Sequence, residues 1–460
     1  MTVNENANLV KNTNLTRNIE QTGISIPNVQ PTNDSTGTPP PDTPHKRRVR
    51  YKGTHPRHFH EKYKEANPEK YADTIEKVIS KGSTPAGMHL SIMVDEILEA
   101  LDIKPGQIGL DATFGYGGHT KAMLQKLEGQ GHIYALDVDP IEIVKTRKRL
   151  GEQGYGPELL TACQINFAKI DQVGRFANQT ENIEYLKSTD IVEQAAIERI
   201  IENQITTNRT MDLGPFDFVL ADLGVSSMQI DNPDRGFSYK IDGPLDLRLD
   251  PEHGESAAER LSNITKEEFI GMLIDNSDEP FAEEIARVVF GKMRKGIAID
   301  TTTALKDAIE EAINQVPEKK LQAVIQSNQK PQEYEKSQDG KKNQNSNKTT
   351  SATTRADLAK KSCARVFQAL RIDVNSEFEV LYSFLDKLPG ILKPGARVAI
   401  LTFHSGEDRL VKQSFKQWKK EGIYSEILED VIRPSAQECQ RNPRAKSTKL
   451  RWAVRSDKKI

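Results

Sequence analysis

Asp111, Asp137, Asp222 and His404 each stand at or just past the end of a short apolar run, and each is followed by turn-forming residues. Ligands of open parallel sheets bind beyond the carboxyl ends of the strands, so polar groups at such ends are candidates for chemistry. The first run, 108–112, leads into GYGGHT, where Gly115, Gly117 and Gly118 let the backbone approach a ligand closely before a helix opens. Asp137 closes the next run, where a carboxylate can accept both hydroxyls of a ribose. Together the loop and the acid point to an adenosine cofactor. The loop lacks the third spaced glycine of a dinucleotide site, and no Walker lysine follows it. Asp111 would repel a pyrophosphate and suit a cation such as an amino-acid ammonium. S-adenosylmethionine, with its ribose, sulfonium and ammonium, fits these features better than NAD.

These side chains need a sheet to hold them. Strands over 108–112, 132–137 and 159–165 alternate with helices after the glycine loop and over 141–150, which indicates an α/β fold with helices on both faces of a parallel sheet. Between 170 and 214 the apolar spacing supports one helix, near 191–201. The fourth strand, FDFVLADL at 216–223, ends in Asp222 and is followed by Gly224, Val225, Ser226 and Ser227. The strand signal then stops. Thr265 and Glu268 form a capping-box pair, and helical spacing continues through 281–293 and 303–314. One long amphipathic helix through Leu370, Val374, Phe378, Leu381 and Leu385 precedes a strand at 397–403, and strands near 424–428 and 449–455 close the sheet as an antiparallel pair.

The division that follows is a disordered polar tail (1–50), a basic arm (51–84), a sheet domain (85–229 with 366–460) and a helical insertion (230–365). Within the insertion, the Gln/Asn/Lys/Ser tract 326–355 reads as a disordered loop. The chain has 460 residues, 36% of them hydrophobic, and a net charge of −2, so it is no polycation. Basic charge is nevertheless segregated. Residues 46–65 hold eight Lys/Arg against two acids, and 441–459 hold eight against one; either cluster could face phosphate or simply be solvated. His55, His58 and His60 lack the partners of a metal site, and no metal is expected. Three scattered cysteines suit a reducing cytoplasm, and neither membrane insertion nor secretion is expected.

The segments DATFGYGGHT (111–120), ALDVDP (135–140), DLGVSSMQIDNPDRGFSYKIDGPLDLRLD (222–250), FQALRIDVNSE (367–377), LTFHSGEDRLVK (401–412) and NPRAKSTKLR (442–451) resemble the bacterial small-subunit rRNA cytosine-N4 methyltransferases, the RsmH (MraW) family. The resemblance implies a Rossmann-like S-adenosylmethionine-dependent methyltransferase core with a helical substrate-recognition insertion after the fourth strand. It places cofactor contacts on Gly117, Gly118, His119, Asp137, Phe167, Asp222 and Gln229, with Phe167 packing on adenine. It implies a partner in small-subunit ribosomal RNA or the 30S particle, and leaves room for a homodimer. Two departures stand out: Lys361–Ala364 replaces the usual His-Pro-Ala-Thr, and Gly406 stands where Leu is more usual.

The reaction so implied is methyl transfer from a sulfonium to a cytidine amine whose lone pair is delocalised into the ring. The site must align nitrogen, methyl and sulfur, and accept an amine hydrogen. Asp222, Ser226, Ser227, the carbonyls of their turn and His404 are the candidates. Ser226 and Ser227 also fit an ordinary turn, and His404 also fits a structural hydrogen bond. Arg235, Arg248, Arg371 and Arg409 could hold phosphates or pair with Asp246 and Asp408. A nucleotide-dependent oxidoreductase and a non-catalytic RNA-binding protein are the rival readings.

Overall fold

The computed structural model describes residues 91–178, 191–202, 214–329 and 354–459; the expected tail and basic arm lie outside them. Helix α1 (Val94–Leu101) turns Ile97, Ala100 and Leu101 inward. Strand β1 (Ile108–Asp111), α2 (Gly118–Lys126), β2 (His132–Asp137), α3 (Pro140–Glu152) and β3 (Leu160–Gln164) then alternate as expected. The long connection holds more structure than one helix. It contains α4 (Ile170–Ala177), a short strand β4 (Ile191–Glu193) and α5 (Gln194–Glu202). A strand of three residues shows no alternation, so only its pairing with β3 reveals it.

Strand β5 (Phe216–Asp222) occupies the middle of the sheet, which explains its unbroken apolar run. It leads to α6 (Ser227–Asp231). The helical lobe follows, with α7 (Ala257–Asn263), α8 (Lys266–Ser277), α9 (Ala282–Arg294), α10 (Thr302–Gln315) and α11 (Glu318–Gln329). Helix α11 runs into the tract expected to be a loop, most of whose remainder lies outside the described residues.

The expected single helix through 370–385 is two: α12 (Arg355–Val374) and α13 (Glu377–Ile391), parted at Asn375 and Ser376. Ser376 takes φ 48°, and the Asn375 side chain accepts from Leu249 N (2.7 Å) and donates to Leu247 O (2.8 Å). The apolar stripe continues in register across the break, so periodicity could not locate it. The 365/366 boundary falls inside α12, whose Leu358, Val366, Phe367 and Leu370 join the lobe's hydrophobic cluster.

Strand β6 (Leu392–Thr402), α14 (Ser405–Lys420), β7 (Tyr424–Ile427), α15 (Ala436–Arg441) and β8 (Lys449–Arg455) complete the chain. The sheet order is β4-β3-β2-β1-β5-β6-β8-β7, parallel except at β8, which pairs antiparallel with both neighbours. Separate hydrophobic clusters cover its two faces, one under α4, α13 and α14 and the other under α1, α2 and α3. The order reverses between β1 and β5, and the carboxyl ends of strands at such a switch point form a crevice.

Candidate active site

A cavity of about 560 Å³ opens over that switch point, walled by the glycine loop, the ends of β2, β3 and β5, and the lobe. Gly117, Gly118, His119, Asp137, Phe167, Asp222, Ser226, Ser227, Gln229 and His404 all line it. Their surroundings divide them into groups open to a ligand and groups already committed to the protein.

The loop is shaped by close approach. Gly117 has φ 72°, and a Cβ there would lie 2.7 Å from the Thr146 side chain; one on Gly118 would lie 2.0 Å from Ser91 Oγ. Asp137 accepts from Gly115 N (2.8 Å) and Asp139 N (2.9 Å), which fixes its carboxylate at the cavity wall. Burial, helped by the nearby Asp139 charge, pushes it up to about 7 against those two hydrogen bonds. Asn166 caps the turn that presents Phe167, whose ring meets Phe384 edge-on at 5.2 Å.

Asp111 corrects the expectation made for it. It is buried outside the cavity lining and accepts from Thr120 Oγ1 (2.6 Å) and Thr113 N (3.1 Å), so it holds the loop rather than a ligand's ammonium. Burial raises its pKa against those bonds. Gln229 is likewise committed: Oε1 accepts from Ser226 N (2.9 Å), and Nε2 donates to Asp139 Oδ2 (2.9 Å). Ser226 is the N-cap of α6 and its Oγ accepts from Gln229 N (3.1 Å).

His119 points one ring nitrogen at Ile92 O (2.9 Å) and the other at Asp222 Oδ2 (3.4 Å). Burial alone would lower its pKa, but the Asp222 carboxylate outweighs that and raises it. The other oxygen, Asp222 Oδ1, is enclosed and has no hydrogen-bond partner among the described residues. His404 is the N-cap of α14, its Nε2 3.1 Å from Glu407 Oε1. Burial would raise Glu407, but His404 holds it below the usual carboxylate range. Gly406 leaves room for Phe378, whose ring would lie 2.7 Å from a Cβ there.

The lobe contributes Phe237, Tyr239, Leu247, Phe367, Gln368 and Arg371 to the cavity. Tyr239 and Phe367 meet with centroids 5.7 Å apart. Sequence reasoning named Arg371 but not the two aromatics, which sit 128 residues apart and show no shared pattern. Glu377, His404 and Glu407 bring ligand-type atoms within 4.8 Å of one another, the spacing of a metal site. Arg371 already grips Glu377 twice (2.7 and 2.9 Å), so the set is internally paired and we assign it no metal.

Three of the four candidate arginines resolve into pairings, Arg371 with Glu377 (2.7 Å) among them, while Arg409 lies exposed on α14. Arg235 binds Asp139 (2.7 Å), and Arg248 binds Asp246 (2.8 Å). Half of the basic cluster at 441–459 is engaged by the protein, while Arg441, Lys446, Lys458 and Lys459 lie exposed. Arg444 pairs with Asp231 (3.0 Å), Lys449 and Arg451 grip Asp408 (2.9 and 2.7 Å), and Arg455 donates to the carbonyls of Pro389, Ile423, Ser456 and Lys458.

Residues 86–456 match a family described as the MraW methylase family. The chain is 58% identical over 412 residues to Ribosomal RNA small subunit methyltransferase H 1 of Lachnoclostridium phytofermentans, covering 90% of this chain and 93% of that protein. It is 54% identical to the protein of the same name from Agathobacter rectalis (90% and 98% covered). It is 50% identical to Ribosomal RNA small subunit methyltransferase H 2 of Alkaliphilus metalliredigens (89% and 97% covered).

Proposed function

The chain belongs to the MraW methylase family, and from that premise we propose that it methylates the exocyclic N4 amine of a cytidine in small-subunit ribosomal RNA, using S-adenosylmethionine. The observation that carries this reading is the joining of two unlike walls in one cavity. On one side stand a glycine loop and the Asp137 carboxylate, and on the other an aromatic lobe large enough to take a base.

The residues present fit the cofactor. The loop's close packing leaves backbone rather than side chain at the cavity wall, and Asp137 keeps lone pairs for ribose hydroxyls beside its two backbone bonds. Phe167 offers a ring face for an adenine. When bound, S-adenosylmethionine supplies an electrophilic methyl group whose C–S bond breaks as the amine's N–C bond forms. The protein's part is to align the amine and take up its hydrogen as the lone pair localises. Holding reactants in line is worth about 7–11 kcal/mol in well-oriented cases.

Asp222 suits the hydrogen-accepting role best. Its carboxylate lines the cavity and stands 3.4 Å from the His119 ring, whereas Ser226 Oγ caps one helix and His404 Nδ1 caps another. Ser227 lines the same turn and adds a hydroxyl beside it. Gln229 and His119 then act behind the contact surface, the first through Asp139 and the second through Asp222.

The deciding experiment supplies labelled S-adenosylmethionine with unmodified small-subunit RNA or with 30S particles, and maps modified cytidines by mass. Methyl label at one cytidine N4 is expected; label on neither substrate would overturn the assignment. Calorimetry should show S-adenosylmethionine binding and no NAD binding. An assembled 30S substrate, a homodimer and a cytoplasmic location are finer parts of the proposal. The two RNA arms, light scattering and cell fractionation read them.

A further inference from the structure

We propose that the exposed face of α14 is a track for RNA phosphates flanking the nucleotide in the cavity, an inference that rests on the RNA-methylating reading above. Helix α14 starts at the cavity: its N-cap His404 and its first-turn Glu407 both line it. From there Arg409, Lys412, Lys416, Lys419 and Lys420 all lie exposed. At steps of three and four residues they share one side, about 16 Å long at 1.5 Å per residue.

The helix's two acids are turned inward, Glu407 to His404 and Asp408 to Lys449 and Arg451, and the exposed acid that follows them is the C-cap Glu421, which accepts from Gln417 Nε2 (3.1 Å). Arg409, Lys412, Lys416 and Lys420 have no ion-pair partner among the described residues, although Glu379 and Asp386 are exposed on neighbouring α13. Three lysines on other helices are matched, Lys145 with Glu142, Lys292 with Glu311 and Lys306 with Glu310, and they supply a paired control. Leaving four cations unmatched in a row costs self-repulsion, and a polyanion relieves it. The row leads away from the cavity mouth, where the backbone on one side of a flipped nucleotide must run.

The test is the salt dependence of binding to a small-subunit RNA fragment. Each lost phosphate contact lowers the slope of log K against log salt by about 0.7–0.9. Replacing Lys412, Lys416 and Lys420 by Gln should flatten the slope by about 2–3 units and weaken low-salt binding at least about 10-fold, with S-adenosylmethionine affinity unchanged. The matched set Lys145, Lys292 and Lys306→Gln removes the same charge and should leave the slope as in wild type. An unchanged slope in the α14 variant, or equal flattening in both, would overturn the proposal. Wild-type protein that binds no RNA at any salt would instead overturn the functional reading, and this inference with it.

Discussion

Asp137 concentrates the chemistry of the cofactor wall at one titratable group. Only its ionised form can accept two hydroxyl hydrogens beyond the backbone bonds it already holds, and enclosure pushes its pKa up to about 7. Cofactor binding should therefore weaken as pH falls through 7, approaching about tenfold per unit below it. Calorimetry at about pH 6, 7 and 8 reads this, and Asp137→Asn should bind at least about tenfold more weakly with the pH dependence gone. A flat wild-type profile would contradict the role. The stability sign is opposite. Because the folded-state pKa is raised, the unliganded protein loses stability as pH climbs from about 4 to 7, where the unfolded chain has already released this proton. Asp137→Asn removes this pH dependence, although its single acceptor oxygen can keep only one of the two backbone bonds.

At the scale of elements, the junction between α12 and α13 shows how a break is held. Asn375 fills the hydrogen bonds of Leu249 N and Leu247 O, and Leu247 itself sits at φ 65°. Asn375→Ala leaves two partly buried backbone groups unpaired, which should cost about 2–4 kcal/mol in denaturant titrations. Asn375→Asp keeps the acceptor for Leu249 N but sets an oxygen against the carbonyls of Leu247 and Arg371, so it should not restore wild-type stability. The same junction explains a misreading: apolar residues at 370, 374, 378, 381 and 385 keep helical spacing through the turn, so hydrophobicity predicts continuity where hydrogen bonding imposes a corner. Capping chemistry was more legible, since Thr265 with Glu268 marks the start of α8. His404 with Glu407 serves the same purpose at α14, but an imidazole cap has no such plain signature.

Across the whole molecule, the sheet and the helical lobe are tied by one buried ion pair. Asp139 is fully buried and accepts from Ile141 N, Glu142 N, Gln229 Nε2 and Arg235 Nη1, while Arg235 Nη2 reaches the carbonyls of Arg248 and Leu249. Arg235→Met should cost about 3–5 kcal/mol, because it strands a buried carboxylate. Hydrogen exchange should show the 245–249 amides deprotected first; uniform loss of protection would argue against a tie between lobes. None of this tie was legible in sequence, since its partners are 96 residues apart. The alternation of strands and helices, the glycine loop and Asp137 as its acid were legible, because periodicity and turn chemistry are local properties of a chain. Which polar groups remain open to a ligand was decided only by folding. Asp111 and Asp222 end equivalent apolar runs, yet Thr120 takes up one carboxylate while an oxygen of the other has no partner among the described residues. Of the C-terminal cations, which in sequence could face phosphate or solvent alike, the fold takes Arg444, Lys449, Arg451 and Arg455 onto Asp231, Asp408 and carbonyls and leaves Arg441, Lys446, Lys458 and Lys459 exposed. Sequence specifies which charges exist; distance and burial, which only tertiary packing sets, decide which are already neutralised.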